Sequence, residues 1–204
     1  MRYLLIAGAV IVLALVVTQF ALPPFLAGKV EDRLTARGGT ANVDLEAVPA
    51  VRLLANDGDR FELDGRGLKF PLDQDQAVFD KLDGFDAVKL RLTNVVAGPF
   101  TVLRFDLSRD GGDETYTLTS GGQTSVARVS SYLSSGLPPL LSSLLGGATR
   151  VTGVAANRTI PFTVDAELAS EGGEPRLVRG SGSVAGIPTG PFAALLAQAV
   201  LSRL

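Results

Sequence analysis

The chain has 204 residues, with 19 Lys and Arg against 21 Asp and Glu, and it contains neither His nor Cys nor Trp. A formal net charge of -2 leaves no basic field for nucleic acid or for strong adsorption to anionic headgroups. Without His or Cys there is no Ser-His or Cys-His nucleophile pair, no disulfide and no ordinary zinc site, so carboxylate, Lys, Tyr and Ser-Lys chemistries are what remain.

Residues 3–22, YLLIAGAVIVLALVVTQFAL, carry no charge. At about 1.5 Å of rise per residue, an α-helix of this length matches a bilayer core of about 30 Å. Arg2 and the α-amino group on its N-terminal side favour a cytoplasmic N-terminus and export of the rest of the chain. Pro23-Pro24 is expected to end the helix. Residues 1–22 therefore read as a transmembrane signal-anchor, with a cleaved signal peptide as the alternative, since Leu4 to Val17 also has the length of an h-region. Residues 23–204 then form a single extracytoplasmic domain at the cell membrane, anchored by one pass. The absence of Cys rules out a lipoprotein attachment and suits a bacterial envelope.

Beyond the prolines, Phe25-Leu26, Val30 and Leu34 fall on one helical stripe among Lys29, Glu31, Asp32, Arg33 and Arg37. This predicts an amphipathic helix closed by Gly38-Gly39, its stripe packed on the core or laid on a membrane surface. From Ala41 the period changes to two: Val43, Leu45 and Ala47 alternate with polar residues and stop before Pro49. After a short apolar stretch, Val51 to Ala55, the turn Asn56-Asp57-Gly58-Asp59 leads into a strand over 60–64. That strand resumes at Leu68 and Phe70 beyond a break at Gly65-Arg66-Gly67. A short helix is expected over Asp73 to Leu82, with Ala77, Val78 and Leu82 inward.

Paired strands come next, over 87–93 and 101–108, the second pointing Leu103, Phe105 and Leu107 inward. A polar turn at residues 109–113 brings in a strand over 114–119. Val126, Val129 and Leu133, and then Leu140, Leu141, Leu144 and Leu145 after Pro138-Pro139, predict two short Ser-rich helices, either core-packing or a mobile lid. Residues 158–168 alternate most cleanly, with Ile160, Phe162, Val164, Ala166 and Leu168 on one side, and Pro161 argues for an edge position or a strand end. A Gly/Ser-rich strand over 176–184 precedes a final helix opened by Pro191, with Phe192, Leu195, Leu196, Ala199 and Val200 on its apolar face. The fold class is α+β: a curved antiparallel meander wrapped around amphipathic helices, as in a lipid tunnel.

Candidate chemistry is sparse. The paired carboxylates Asp57/Asp59, Asp73/Asp75 and Asp110/Asp113 do not match a calcium loop and read as solvated turns. No G-x-S-x-G or S-x-x-K occurs. No catalytic residue, metal or cofactor is assigned. Apolar capacity on the outer side of a membrane is what remains, and it fits a sheltered cavity for acyl chains as well as it fits an ordinary closed core.

Three stretches resemble the actinobacterial LmeA-like phospholipid-binding family. They are Glu46 to Gly67 (EAVPAVRLLANDGDRFELDGRG), Gly98 to Arg109 (GPFTVLRFDLSR) and Gly180 to Leu204 (GSGSVAGIPTGPFAALLAQAVLSRL). The similarity extends over residues 23–204 and is one of packing and turn patterns. The chain departs from the family at Val51 and Asn56, where members often carry an aromatic residue and Gly. The resemblance implies an envelope protein that binds phospholipid, linked in mycobacteria to the upkeep of lipoglycans, and it brings no catalytic residue with it.

The expectation is a membrane-anchored protein holding phospholipid in an apolar groove, for lipid transfer or envelope maintenance. Leu103, Phe105, Ile160, Phe162, Val164, Phe192, Leu195 and Leu196 are the expected lining, each of which could equally be plain core, and the helices within 125–145 are expected to gate access. The alternatives are a non-enzymatic scaffold docking another envelope protein, and a carboxylate-based envelope hydrolase.

Overall fold

The computed structural model describes residues 2–70, 78–125, 127–128, 159–184, 187–188 and 197, and the side chains of these other than 2–15, 184, 187 and 188. The first helix, α1, runs from Arg2 to Thr35 straight through Pro23 and Pro24, so the expectation that the prolines end it fails. They remove the N–H groups that would bond to the carbonyls of Gln19 and Phe20. Packing outweighs that loss. Leu26, Ala27, Val30 and Leu34 lie in or against the core, one of the two placements expected of the amphipathic stripe, whereas Phe25 at its start is exposed. The segment expected to span a membrane and the expected amphipathic helix are thus one element. It is closed where Gly38 N donates to Thr35 O (2.8 Å) and Gly38 and Gly39 turn the chain at φ +102° and +95°. Among the described residues no helix is long and apolar enough to cross a membrane, the side chains of 2–15 lying outside them.

Among the described residues nine strands make one sheet: β1 (Thr40–Glu46), β2 (Gly58–Arg66), β3 (Lys69–Phe70), β4 (Phe85–Ala97), β5 (Phe100–Arg109), β6 (Thr115–Ser125), β7 (Thr159–Glu171), β8 (Glu174–Val184) and β9 (Ile187–Pro188). Their lateral order is β1-β2-β4-β5-β6-β7-β8-β9, with β3 beside β4. The sheet is curved and the α+β class holds, but the purely antiparallel meander does not, because β2 and β3 run parallel to β4. Parallel neighbours need a connection of a dozen or more residues. Here it is the stretch from Phe70 to Phe85, which was expected to hold a helix over 73–82. Its described part is a 3-10 turn, Val78–Lys81, and Val78, Phe79 and Leu82 are buried in the core. Residues 71–77 lie outside the described residues.

β2 and β3 are in effect one strand interrupted at Gly67 (φ +67°). Arg66 faces Thr93 and Lys69 faces Val96, so the pairing with β4 resumes in step after the break. Pro161 sits in an inner strand, yet near its end: β8 pairs with β7 only from Phe162 onward, so the missing N–H costs no bond to β8.

The inner face of the sheet is built from rows of register partners. One row, Val43, Leu63, Leu90, Leu107, Leu118 and Ala166, crosses six strands with every member 6% exposed or less. Burying such side chains stabilises the fold by about 1.5–3 kcal/mol each. α1 covers the β1 edge: the Glu31 carboxylate accepts the Val43 N–H at 2.7 Å, and the Gln19 amide donates to Ala47 O and accepts from Ala50 N, both at 2.7 Å. α1 therefore runs antiparallel to β1, and residues 2–18 leave the domain at the end of the sheet where Gly58, Phe85 and Arg109 lie. We call this the proximal end. The connection 126–158 leaves the distal end, where Ser125 pairs with Thr159.

Candidate functional site

The expected lining residues divide into three groups. Phe105, Phe162 and Val164 are on the inner face, each 2% exposed or less, within a single buried cluster. Ile160 is half-buried at the distal end, opposite Thr124. Leu103 is 48% exposed on the outer face, which corrects its assignment to the lining. Phe192, Leu195 and Leu196 lie outside the described residues, as do the two helices expected within 125–147 apart from residues 125, 127 and 128. Of the expected final helix only Ala197 is described. It is helical and fully buried in the core cluster.

Leu103 points outward because β5 carries a β-bulge. Val102 faces Gly122 of β6 and Arg104 faces Gly121, so Leu103 is the extra residue and the inward phase passes from Val102 to Phe105. On the other side β4 makes the same change, since Leu92 and Val95 are both buried while Thr93 and Asn94 are exposed, and Asn94 adopts φ 53°. A bulge frees a carbonyl. The hydroxyl of Ser120, itself 3% exposed, donates to Arg104 O at 3.0 Å, and the hydroxyl of buried Thr124 donates to Pro99 O at 2.9 Å. These two polar groups on an apolar face are thereby satisfied.

The resulting distal rows are Leu92, Phe105, Ser120 and Val164, then Val95, Val102, Gly122 and Phe162. Phe162 meets Phe100 edge-on, with ring centroids 5.8 Å apart. Gly122 makes room for it: a Cβ there would lie 2.3 Å from Thr101 O and 2.6 Å from the Phe162 ring. The glycine in this strand thus accommodates the chain's own aromatic ring. Val102, Phe100 and Leu92 are site-forming residues that the alternation of Leu103, Phe105 and Leu107 concealed.

The proximal end is closed by a polar latch which the sequence did not reveal. Asp83 comes just after the turn 78–81; its Oδ1 accepts from the Tyr116 hydroxyl at 2.8 Å and its Oδ2 from the Ser170 hydroxyl at 2.5 Å. Arg109 lies 3.5 Å from Asp83 Oδ1, donates to the carbonyls of Leu82 and Asp83 at 3.1 Å and to that of Phe85, and stands 4.6 Å over the Tyr116 ring. That ring stacks on Phe79 at 4.3 Å, and Phe79 N donates to Gly173 O at 2.8 Å. Burial, and then the hydrogen bond to Asp83, push the Tyr116 phenol well above its ordinary value. An activated phenolate would need the opposite shift, so the cluster is wired to hold elements together.

The acidic turn at Asp57 and Asp59 is also accounted for. Both carboxylates converge on Arg52, at 2.7 Å and 2.6 Å, and the hydrogen bond from Arg52 lowers the Asp57 pKa. An acid pair held in this way by an arginine offers no free carboxylate for general acid catalysis. Asp73 and Asp75 lie outside the described residues, and Asp110 to Asp113 is a turn closed by Asp113 N to Asp110 O at 3.1 Å. Among the described residues no group of three or more Asp or Glu side chains is placed to hold a metal ion. On the outer face, around Leu103, an open depression of about 570 Å³ is bordered by Arg66, Arg91 and Arg104 with Asp64 and Asp106. There Arg91 pairs with Asp64 at 3.8 Å and Arg104 with Asp106.

Compared with known proteins, the chain matches no family model, no curated protein and no solved structure. The reading of its function therefore rests on its own residues.

Proposed function

We propose that the protein is a membrane-anchored, extracytoplasmic phospholipid-binding protein of the bacterial envelope, with residues 3–22 as the anchor and the inner face of the sheet as the side that meets acyl chains. The observation that supports this best is the asymmetry of that face. It is apolar from β1 to β7, latched at the proximal end by Asp83, Arg109 and Tyr116, and continuous at the distal end with the rows ending in Val164 and Phe162. The Ser-rich, Leu-rich stretch 126–158 leaves from the distal end. Residues 125–145 are the candidate gate, and no catalytic group is needed for such a role.

Native mass spectrometry of the full-length protein, released from detergent micelles, tests this. The expected result is one phospholipid retained per chain, lost on Val164→Phe, which fills the inner face, and kept on Leu103→Ala, which alters the outer face. The complete burial of Phe105, Phe162 and Val164 favours a second reading, a closed core on a scaffold that docks another envelope protein. A chain that carries only detergent, and takes up no lipid from vesicles, would establish that reading and overturn the first.

A further inference from the structure

We infer that the proximal end of the domain is seated in the surface of a lipid bilayer, with Phe20, Val48, Val51 and Leu54 lodged at the boundary between headgroups and acyl chains. This rests on the reading of residues 3–22 as the anchor and adds to it how the domain stands on the membrane.

Among the described residues ten large apolar side chains are exposed: Val16, Val17, Phe20, Phe25, Val48, Val51, Leu54, Val96, Leu103 and Val178. The last three are scattered over the sheet. Leu103 and Val178 are the extra residues of two bulges, between Val102 and Arg104 in β5 and between Leu177 and Arg179 in β8. The other seven lie on α1 between residues 16 and 25 and on the loop 48–54, which runs into a 3-10 turn (Ala50–Ala55) and is bonded to the helix through Gln19. Phe20 is 77% exposed, Val48 73% and Leu54 65%. Single exposed apolar residues need no explanation, but a cluster at one end of a molecule does.

The loop is held firmly in place. The Gln19 amide grips it at Ala47 O and Ala50 N, Val48 N donates to Asp59 Oδ2 at 2.9 Å, and Arg52 is bound by Asp57 and Asp59. Arg52 is the only basic residue from Ala47 to Asp57. With its charge already matched, the seat draws on apolar burial and not on anionic lipid.

The vertical position is set by lengths. The uncharged run needs all of residues 3–22 to cover a core of about 30 Å. Its last four residues, Gln19 to Leu22, are flanked by the loop, because Gln19 is bonded to it. For the run to be fully immersed, the loop must sink by about four helical rises, roughly 6 Å, which falls within the 5–10 Å typical of interfacial apolar faces. The loop's exposed side chains at that depth are Val48, Pro49, Val51 and Leu54.

The chain has no Trp, so a single introduced indole reports its own depth. The full-length protein would be reconstituted in phosphatidylcholine vesicles containing lipid brominated near the glycerol end of its acyl chains. Three variants are compared, Leu54→Trp, Val178→Trp and Val10→Trp, with Val51→Trp as a repeat of the first. The expected result is that Val10→Trp is quenched, that Leu54→Trp loses about half or more of its emission as befits a depth of about 5–10 Å, and that Val178→Trp is unchanged. The same quenching is expected when phosphatidylglycerol replaces half of the unbrominated lipid. If Leu54→Trp and Val51→Trp behave as Val178→Trp does while Val10→Trp is quenched, the seat is overturned and the anchor stands. If Val10→Trp is not quenched either, the anchor reading fails and takes the seat with it.

Discussion

Asp83 shows how one side chain can tie distant parts of a chain. Through Tyr116, Arg109 and Ser170 it joins the connection before β4 to β5, β6 and β7. A hydrogen bond from a hydroxyl such as that of Tyr116 to a carboxylate is charge-assisted and worth about 1.5–3 kcal/mol. Tyr116→Phe keeps the ring on Phe79 and beneath Arg109 and removes only that bond, so it should cost this amount at neutral pH. The pH dependence has a definite sign. In the unfolded chain the phenol ionises near pH 10, whereas burial and Asp83 raise its pKa in the folded state. Between the two values the unfolded chain binds fewer protons, so stability is fully present below about pH 10 and declines as pH rises beyond it. Urea melts of wild type and Tyr116→Phe between pH 8 and 11 should therefore run parallel at first and then converge. Tyr3 and Tyr132 are common to both proteins and cancel in the difference. Curves that stay parallel to the top of the range would show that Tyr116 is not held protonated by this latch.

Two strands carry the same device on a similar local pattern, two aliphatic residues before an arginine. β5 bulges at Val102-Leu103-Arg104 and β8 at Leu177-Val178-Arg179, and in each the second apolar residue is turned outward. Leu103→Asp should accordingly leave stability within about 0.5 kcal/mol, as surface changes do. Phe105→Asp, two residues on, would place an unpaired charge on the buried face and should cost about 3–5 kcal/mol or abolish folding. Thermal melts of the two variants separate the bulged register from an unbroken alternation, which predicts equal damage. Strict alternation in the sequence placed Leu103 inward with Phe105 and Leu107, although the apolar doublet Val102-Leu103 leaves open which of the two is buried. The residues that resolve the ambiguity are remote: Asn94 on one neighbour, and Ser120 capturing the freed carbonyl on the other. Elsewhere strand period sufficed. β1, β5 and β7 lie close to their expected bounds because one face of each is buried and the other is not. β6 was read only as far as Thr119, since Ser120, Gly121 and Gly122 have poor strand propensity and are held by β5 and β7 on either side. Pairing direction is not encoded in period at all, so β2 and β4 gave no sign of being parallel. Pro23-Pro24 gave a true local signal that packing along α1 overrode. At the proposed site, alternation correctly placed Phe105, Phe162 and Val164 inward, but no pattern distinguishes a lining from a filled core.

At the scale of the whole molecule, the helix and the latch share the proximal end, and this constrains any traffic of lipid. If α1 crosses the membrane, the latched end faces that membrane and the distal rows point away from it. Phospholipid would then reach the inner face at the distal end or not at all, through the region from which residues 126–158 depart. The pairing of Ser125 with Thr159 makes this testable by surgery, because two antiparallel partners can be joined by a two-residue turn. Replacing residues 126–158 with Asn-Gly would leave every β6–β7 pair intact. On the lipid-binding reading the shortened protein folds, since its register is kept, but its rate of taking fluorescent phospholipid from added vesicles changes sharply, because the gate is gone. On the scaffold reading the Val and Leu residues of that stretch are part of the cover over Phe105 and Phe162, and deleting them lowers the melting temperature steeply. Circular dichroism melts together with vesicle uptake on the same sample separate the two. A stable variant with altered uptake supports the gate, and an unfolded one assigns the stretch to the core. A stable variant whose uptake equals that of the wild type would remove the gate from the mechanism, because the distal end would then admit lipid without that stretch.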